Sequence, residues 1–88
     1  MYLHLGNETV VTEKDIIGIF DIDKTTVSKI TKEFLSERSG NYEVINVSEQ
    51  LPKSFILCRE KGKNKLYISQ IAPQTLKKRM KSFRISEV

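Results

Sequence analysis

Cysteine and histidine are nearly absent from this 88-residue chain, which has one of each. With Cys58 alone, no internal disulfide forms. Its apolar neighbours Phe55, Ile56 and Leu57 mark it as a buried thiol, consistent with a reducing cytoplasm. His4 has no Ser, Cys or carboxylate near it at a spacing that suggests a triad, and it reads as an ordinary strand residue. One His and one Cys make no zinc site within a single chain. Gly62 is a lone turn glycine, and nothing resembles a phosphate-cradling loop. No apolar run approaches the roughly 20 residues of a membrane span. The first six residues lack the positive flank and long apolar core of a signal peptide. The expectation is a cytoplasmic, non-catalytic protein with no cofactor, no metal and no membrane contact.

Charge is plentiful and unevenly spread. Residues 1–44 carry 5 Lys/Arg against 8 Asp/Glu, and residues 45–88 carry 10 against 3. The first half is therefore net −3 and the second net +7. The basic half is where a polyanion docks, or it is a solvated face that keeps the chain soluble.

A chain of this length makes one small domain. It buries only about 60–65% of its unfolded surface, so association with copies of itself is one way to bury more. The apolar pattern predicts strands at Tyr2 to Leu5, Val10 to Thr12 and Asp15 to Phe20, the first two joined at Gly6-Asn7. The third strand has two apolar faces, Ile16/Gly18/Phe20 and Ile17/Ile19. One meets the domain's own helix; the other needs a cover, either a neighbouring element or a second subunit, and Ile17 and Ile19 are the candidate oligomer interface. Asp23 is the predicted N-cap of a helix over Lys24 to Arg38, whose stripe is Val27, Ile30, Phe34 and Leu35 and whose stop is Gly40. A fourth strand follows at Tyr42 to Val47. The central hairpin joins Phe55 to Cys58 with Lys65 to Ser69 through Lys61-Gly62-Lys63-Asn64. Phe55 to Cys58 contains no polar residue, as suits a strand covered on both faces or one covered by a partner chain. Pro73 opens the last helix, where its missing N–H costs nothing, and Leu76, Met80 and Phe83 can dock on the sheet. The order β-β-β-α-β-β-β-α predicts an α+β domain over 1–81 with a mostly antiparallel sheet, and 82–88 as a loosely ordered tail.

What remains is binding chemistry. Three sets of cations stand out: Lys14; Lys53 with Lys61, Lys63 and Lys65; and Lys77, Lys78 and Arg79 with Lys81 and Arg84. Each lysine acts as a point charge that positions a nucleic-acid backbone without reading bases. Arginines number four, and aromatics are not interleaved with the cations as in an RNA-stacking sheet. The candidate DNA-binding residues are Lys53, Lys14, Lys77, Lys78 and Arg79.

Two segments, YLHLGNETVVTEKDIIGIFD and PKSFILCREKGKNKLYISQIAPQTLKKRM, resemble the RemA/RemB family of bacterial extracellular matrix regulators over nearly the whole chain. The likeness is stronger to the RemB branch, through the HLG start, the DIIGIFD strand and the SQIAPQTLKKR end. The resemblance implies a cytoplasmic regulator of biofilm matrix genes with a LytTR-like fold. It also implies a homo-oligomer, as the RemA branch forms rings that hold double-stranded DNA by repeated arginines. Many copies of one weak cationic patch give avidity.

The chain departs from that pattern at the DNA-contacting positions. Asp15 stands where the RemA pattern has an arginine, and Gln50 and Leu51 stand where it has a pair. Lys53, just beyond, keeps a cation. Two readings follow: DNA binding through Lys53, Lys14 and the last helix, or an interaction module that has lost DNA binding and pairs with a protein partner or paralogue.

Overall fold

The computed structural model describes residues 1–35 and 42–80. Strands β1 (Tyr2–Gly6) and β2 (Thr9–Thr12) form a hairpin, and a 3-10 turn (Glu13–Asp15) leads into β3 (Ile16–Asp21). Helix α1 (Val27–Phe34), strands β4 (Tyr42–Asn46), β5 (Ser54–Glu60) and β6 (Lys63–Ser69), and helix α2 (Pro73–Arg79) complete the order. This is the α+β domain expected. The main sheet runs β3-β5-β6-β4; all its pairings are antiparallel except β4 with β6.

The sheet is the middle of three layers. On one face, Ile19, Ile56, Cys58 and Tyr67 pack with Leu3, Leu5 and Val11 of the hairpin and with Leu76 and Met80 at α2. On the other, Phe55, Leu57 and Leu66 pack with Ile30 of α1 and with Leu35. Alternate residues of β5 thus enter two cores, which explains a run from Phe55 to Cys58 with no polar residue. Ile56 and Leu57 are fully buried. Burying such a side chain contributes about 1.5–3 kcal/mol.

Several boundaries differ from expectation. The N-cap of α1 is Thr26, whose hydroxyl accepts from Lys29 N at 3.2 Å. Asp23 instead donates its backbone N–H to Asp21 Oδ1 at 2.9 Å, a local turn that competes with capping. The helix ends at Phe34, with Leu35 extended, so it is much shorter than Lys24 to Arg38. Gly40, Lys81, Phe83, Arg84 and the 82–88 tail lie outside the described residues. Phe34 does not join the buried stripe: it is 47% exposed, with its ring 5.3 Å from that of Phe20. Pro73 occupies the start of α2 as expected.

The predicted faces of β3 are also rearranged. A bulge between Ile16 and Gly18 makes two residues oppose one on β5. Ile16 and Ile19 therefore share the face that packs with α2, while Phe20 turns to the α1 side. Ile17 is left at the exposed bulge.

Candidate nucleic-acid interface

The hairpin register decides which cations meet. Asp21 pairs with Ser54 at the root of β5, and Ile16 pairs with Cys58 toward its tip. Lys53 therefore lies at the root, and Lys14, two residues before Ile16, lies at the tip end. Positions 53 and 58 are about 17 Å apart at about 3.3 Å per strand residue. The structure does not bring Lys14 and Lys53 together. It places the 3-10 turn bearing Lys14 against β5, beside the tip. A cleft there is lined by Thr12, Asp15, Glu60, Lys61, Lys63 and Lys65. Sequence reasoning grouped Lys53 with those tip lysines because they share a hairpin. The seven residues between Lys53 and Lys61 already implied a strand's length.

Lys53 sits in a different cleft, with Asp21, Asp23, Leu51 and the start of α2 at Pro73. Its backbone is clamped: Lys53 N–H donates to Ser69 O at 2.8 Å, and Lys53 O accepts from Ile22 N at 3.2 Å. Two carboxylates against one lysine leave this lining net −1. Lys77, Lys78 and Arg79 occupy the last turn of α2 and are exposed. There they also complement the negative end of the helix. Leu76 and Met80, flanking them, are buried, so α2 presents its cations outward.

Lys14, Lys53, Lys77, Lys78 and Arg79 are all exposed, and none is ion-paired among the described residues. The ion pair formed there is Lys65 Nζ with Glu60 Oε1 at 3.5 Å. Glu60 Oε2 also accepts from the Tyr67 hydroxyl at 2.7 Å. That bond and burial raise the Tyr67 pKa, burial being the larger cause. Burial likewise pushes the Cys58 thiol up to about 12, with Glu60 and Asp15 adding to the shift and Lys65 opposing it.

The positions where arginines were expected diverge in space. Gln50 lines a polar cleft with Asn7, Asn46 and Ser48, and its N–H donates to Ser48 Oγ at 3.1 Å. Leu51, 82% exposed, lines the Lys53 cleft. Asp15 lines the tip cleft. Of the candidate interface pair, Ile19 is 7% exposed and belongs to the core; Ile17 is 47% exposed on the edge strand. An interface drawn on β3 therefore rests on Ile17 without Ile19. His4 closes the β1–β2 turn, its Nε2–H donating to Asn7 O at 2.6 Å. Among the described residues, no helix is long and apolar enough to cross a membrane.

A family model, RemA-like (extracellular matrix regulatory protein A-like), matches residues 2–80. The chain belongs to the RemA-like family. A relative within reach of direct comparison is extracellular matrix regulatory protein B of Bacillus subtilis (strain 168). It is 38% identical over 79 residues, spanning 90% of this chain and 89% of the relative. The RemA-like match ends at residue 80, so it takes in both clefts and the whole of α2.

Proposed function

We propose that this protein is a non-catalytic regulator of extracellular matrix gene expression that acts in the cytoplasm and binds double-stranded DNA as a homo-oligomer through its basic surface. The matrix role is supported by RemA-like membership and by the name of the Bacillus subtilis relative. DNA binding is carried by one observation: Lys14, Lys53, Lys77, Lys78 and Arg79 are exposed, with no partnering carboxylate among the described residues. Exposed lysines of this kind neutralise phosphates and release condensed counterions. The direct measurement is fluorescence anisotropy of the protein with a promoter-like duplex, at low and near-physiological salt. Affinity should fall steeply with salt. Converting Lys53, Lys77 and Lys78 together to Glu should abolish binding, and unchanged affinity would mean that the surface has been drawn in the wrong place.

The homo-oligomer is supported by exposed Ile17 on an edge strand. Ile17→Glu should give a smaller species in light scattering while the domain stays folded. A folded variant of wild-type mass removes that edge from the interface.

A second reading, a protein-interaction module that has lost DNA binding, is favoured by the root cleft. Its lining is net negative and carries the exposed Leu51. A pull-down that recovers no specific partner or paralogue counts against it.

A further inference from the structure

The tip of the β5–β6 hairpin carries Lys61, Lys63 and Lys65, none of which belongs to the surface proposed above. Its backbone is tightly set. Lys61 and Gly62 take φ of 52° and 80°, two consecutive left-handed residues that match the twist of the flanking strands. A tip fixed in this way loses little freedom on binding. Three lysines against Asp15 and Glu60 leave the cleft lining net +1, and the exposed Lys14 lies on the turn against β5, between the lining residues Thr12 and Asp15 in the chain. Moreover, Glu60 is already occupied by Lys65 and the Tyr67 hydroxyl. Lys61 and Lys63 remain exposed, without an ion-pair partner among the described residues.

We infer that Lys61, Lys63 and Lys14 form a phosphate-docking point for the backbone of double-stranded DNA, distinct from the Lys53 cleft at the other end of the strand. The inference rests on the DNA-binding reading and extends its surface. Flexible ammonium groups suit phosphates and carry no base code. A polymer is favoured over a free anion because the three ammonium groups are spread over a turn and a hairpin tip. Neighbouring phosphates of a duplex can meet them together, with release of counterions.

The test compares the wild-type protein with the Lys61→Gln/Lys63→Gln variant in duplex-DNA anisotropy between about 50 and about 200 mM salt. Both changed residues are exposed, so the variant should keep the wild-type melting temperature. The logarithmic salt slope should fall by about 2. Across that salt range the wild type should then lose roughly tenfold more affinity than the variant. Asp15→Asn, which removes a carboxylate from the cleft, should tighten binding severalfold at the lower salt. If the wild type binds and the variant's slope is unchanged, the docking point is overturned while the DNA-binding reading stands. If the wild type shows no salt-dependent binding, both fall. Competition by inorganic phosphate beyond its effect on ionic strength would assign the cleft to a small anion and overturn the proposal.

Discussion

At the root of the β5–β6 hairpin, neutral hydroxyls hold three elements together; at its tip, charged side chains face solvent. Ser54 and Ser69 are paired in register at the root, and both are fully buried. Ser54 Oγ donates to Ile71 O at 2.8 Å, Ser69 Oγ donates to Leu5 O at 2.5 Å, and Ile71 N donates back to Ser69 Oγ at 3.0 Å. The hairpin, β1 and the approach to α2 are thus tied by groups that carry no charge. At the tip, Tyr67, Glu60 and Lys65 form a half-buried network while Lys61 and Lys63 stay exposed. One pair of strands therefore closes the fold at one end and displays cations at the other. The root can hold Asp21 and Asp23 beside Lys53 because its closure does not depend on charge.

The largest effect that sharpens this contrast is expected at the root. Ser69→Ala leaves the buried Leu5 carbonyl and the half-buried Ile71 N–H without their partner. Such orphaned groups cost about 2 kcal/mol. For a domain of this size that is a fall of about 10 °C in melting temperature, read by calorimetry. DNA affinity at a temperature where the variant is folded should not change, since Ser69 holds Lys53 through its backbone carbonyl, which the substitution keeps. A melting temperature equal to wild type would show that water replaces the hydroxyl and that the root is not closed.

Much of this plan is legible in the sequence, and the unread parts have physical causes. The strand order follows from apolar periodicity, and the apolar stretch of β5 correctly implies two cores. The bulge at Ile16 to Gly18 escapes such a reading because every residue around it is apolar or glycine, so a slipped face leaves no polar mark. Thr26 and Asp23 are both good capping residues; Thr26 is the one whose hydroxyl bonds the helix, while Asp21 and Asp23 close a local turn ahead of it. Parallel pairing of β4 with β6 joins segments far apart in the chain, which periodicity cannot register. The same limit hides the candidate site. The turn bearing Lys14 is brought to the tip end of the hairpin only by the pairing of β3 with β5, which charge counts along the chain do not show. Glu13, 6% exposed on a short polar turn, likewise gives no sign in the sequence that it is buried.

A smaller, pH-dependent effect separates the two ends, because titrating groups lie in the tip half and the root is tied by serines. Burial pushes the Cys58 thiol from its ordinary 9.0 up to about 12, and the Tyr67 phenol is raised by burial and by Glu60. In both cases the folded chain holds the proton more tightly than the unfolded chain does. Below about pH 9 both states keep the thiol proton, and the stabilisation is fully present. As pH rises above 9, the unfolded chain releases that proton first, so stability falls until the folded thiol ionises near 12. The urea midpoint should therefore decline across this alkaline window. Cys58→Ala and Tyr67→Phe should each flatten the decline, and Ser69→Ala should lower the whole curve without changing its slope. A decline that survives in the Cys58→Ala/Tyr67→Phe double variant would place the alkaline weakness outside the tip half of the sheet and break the division between a neutral root and a charged tip.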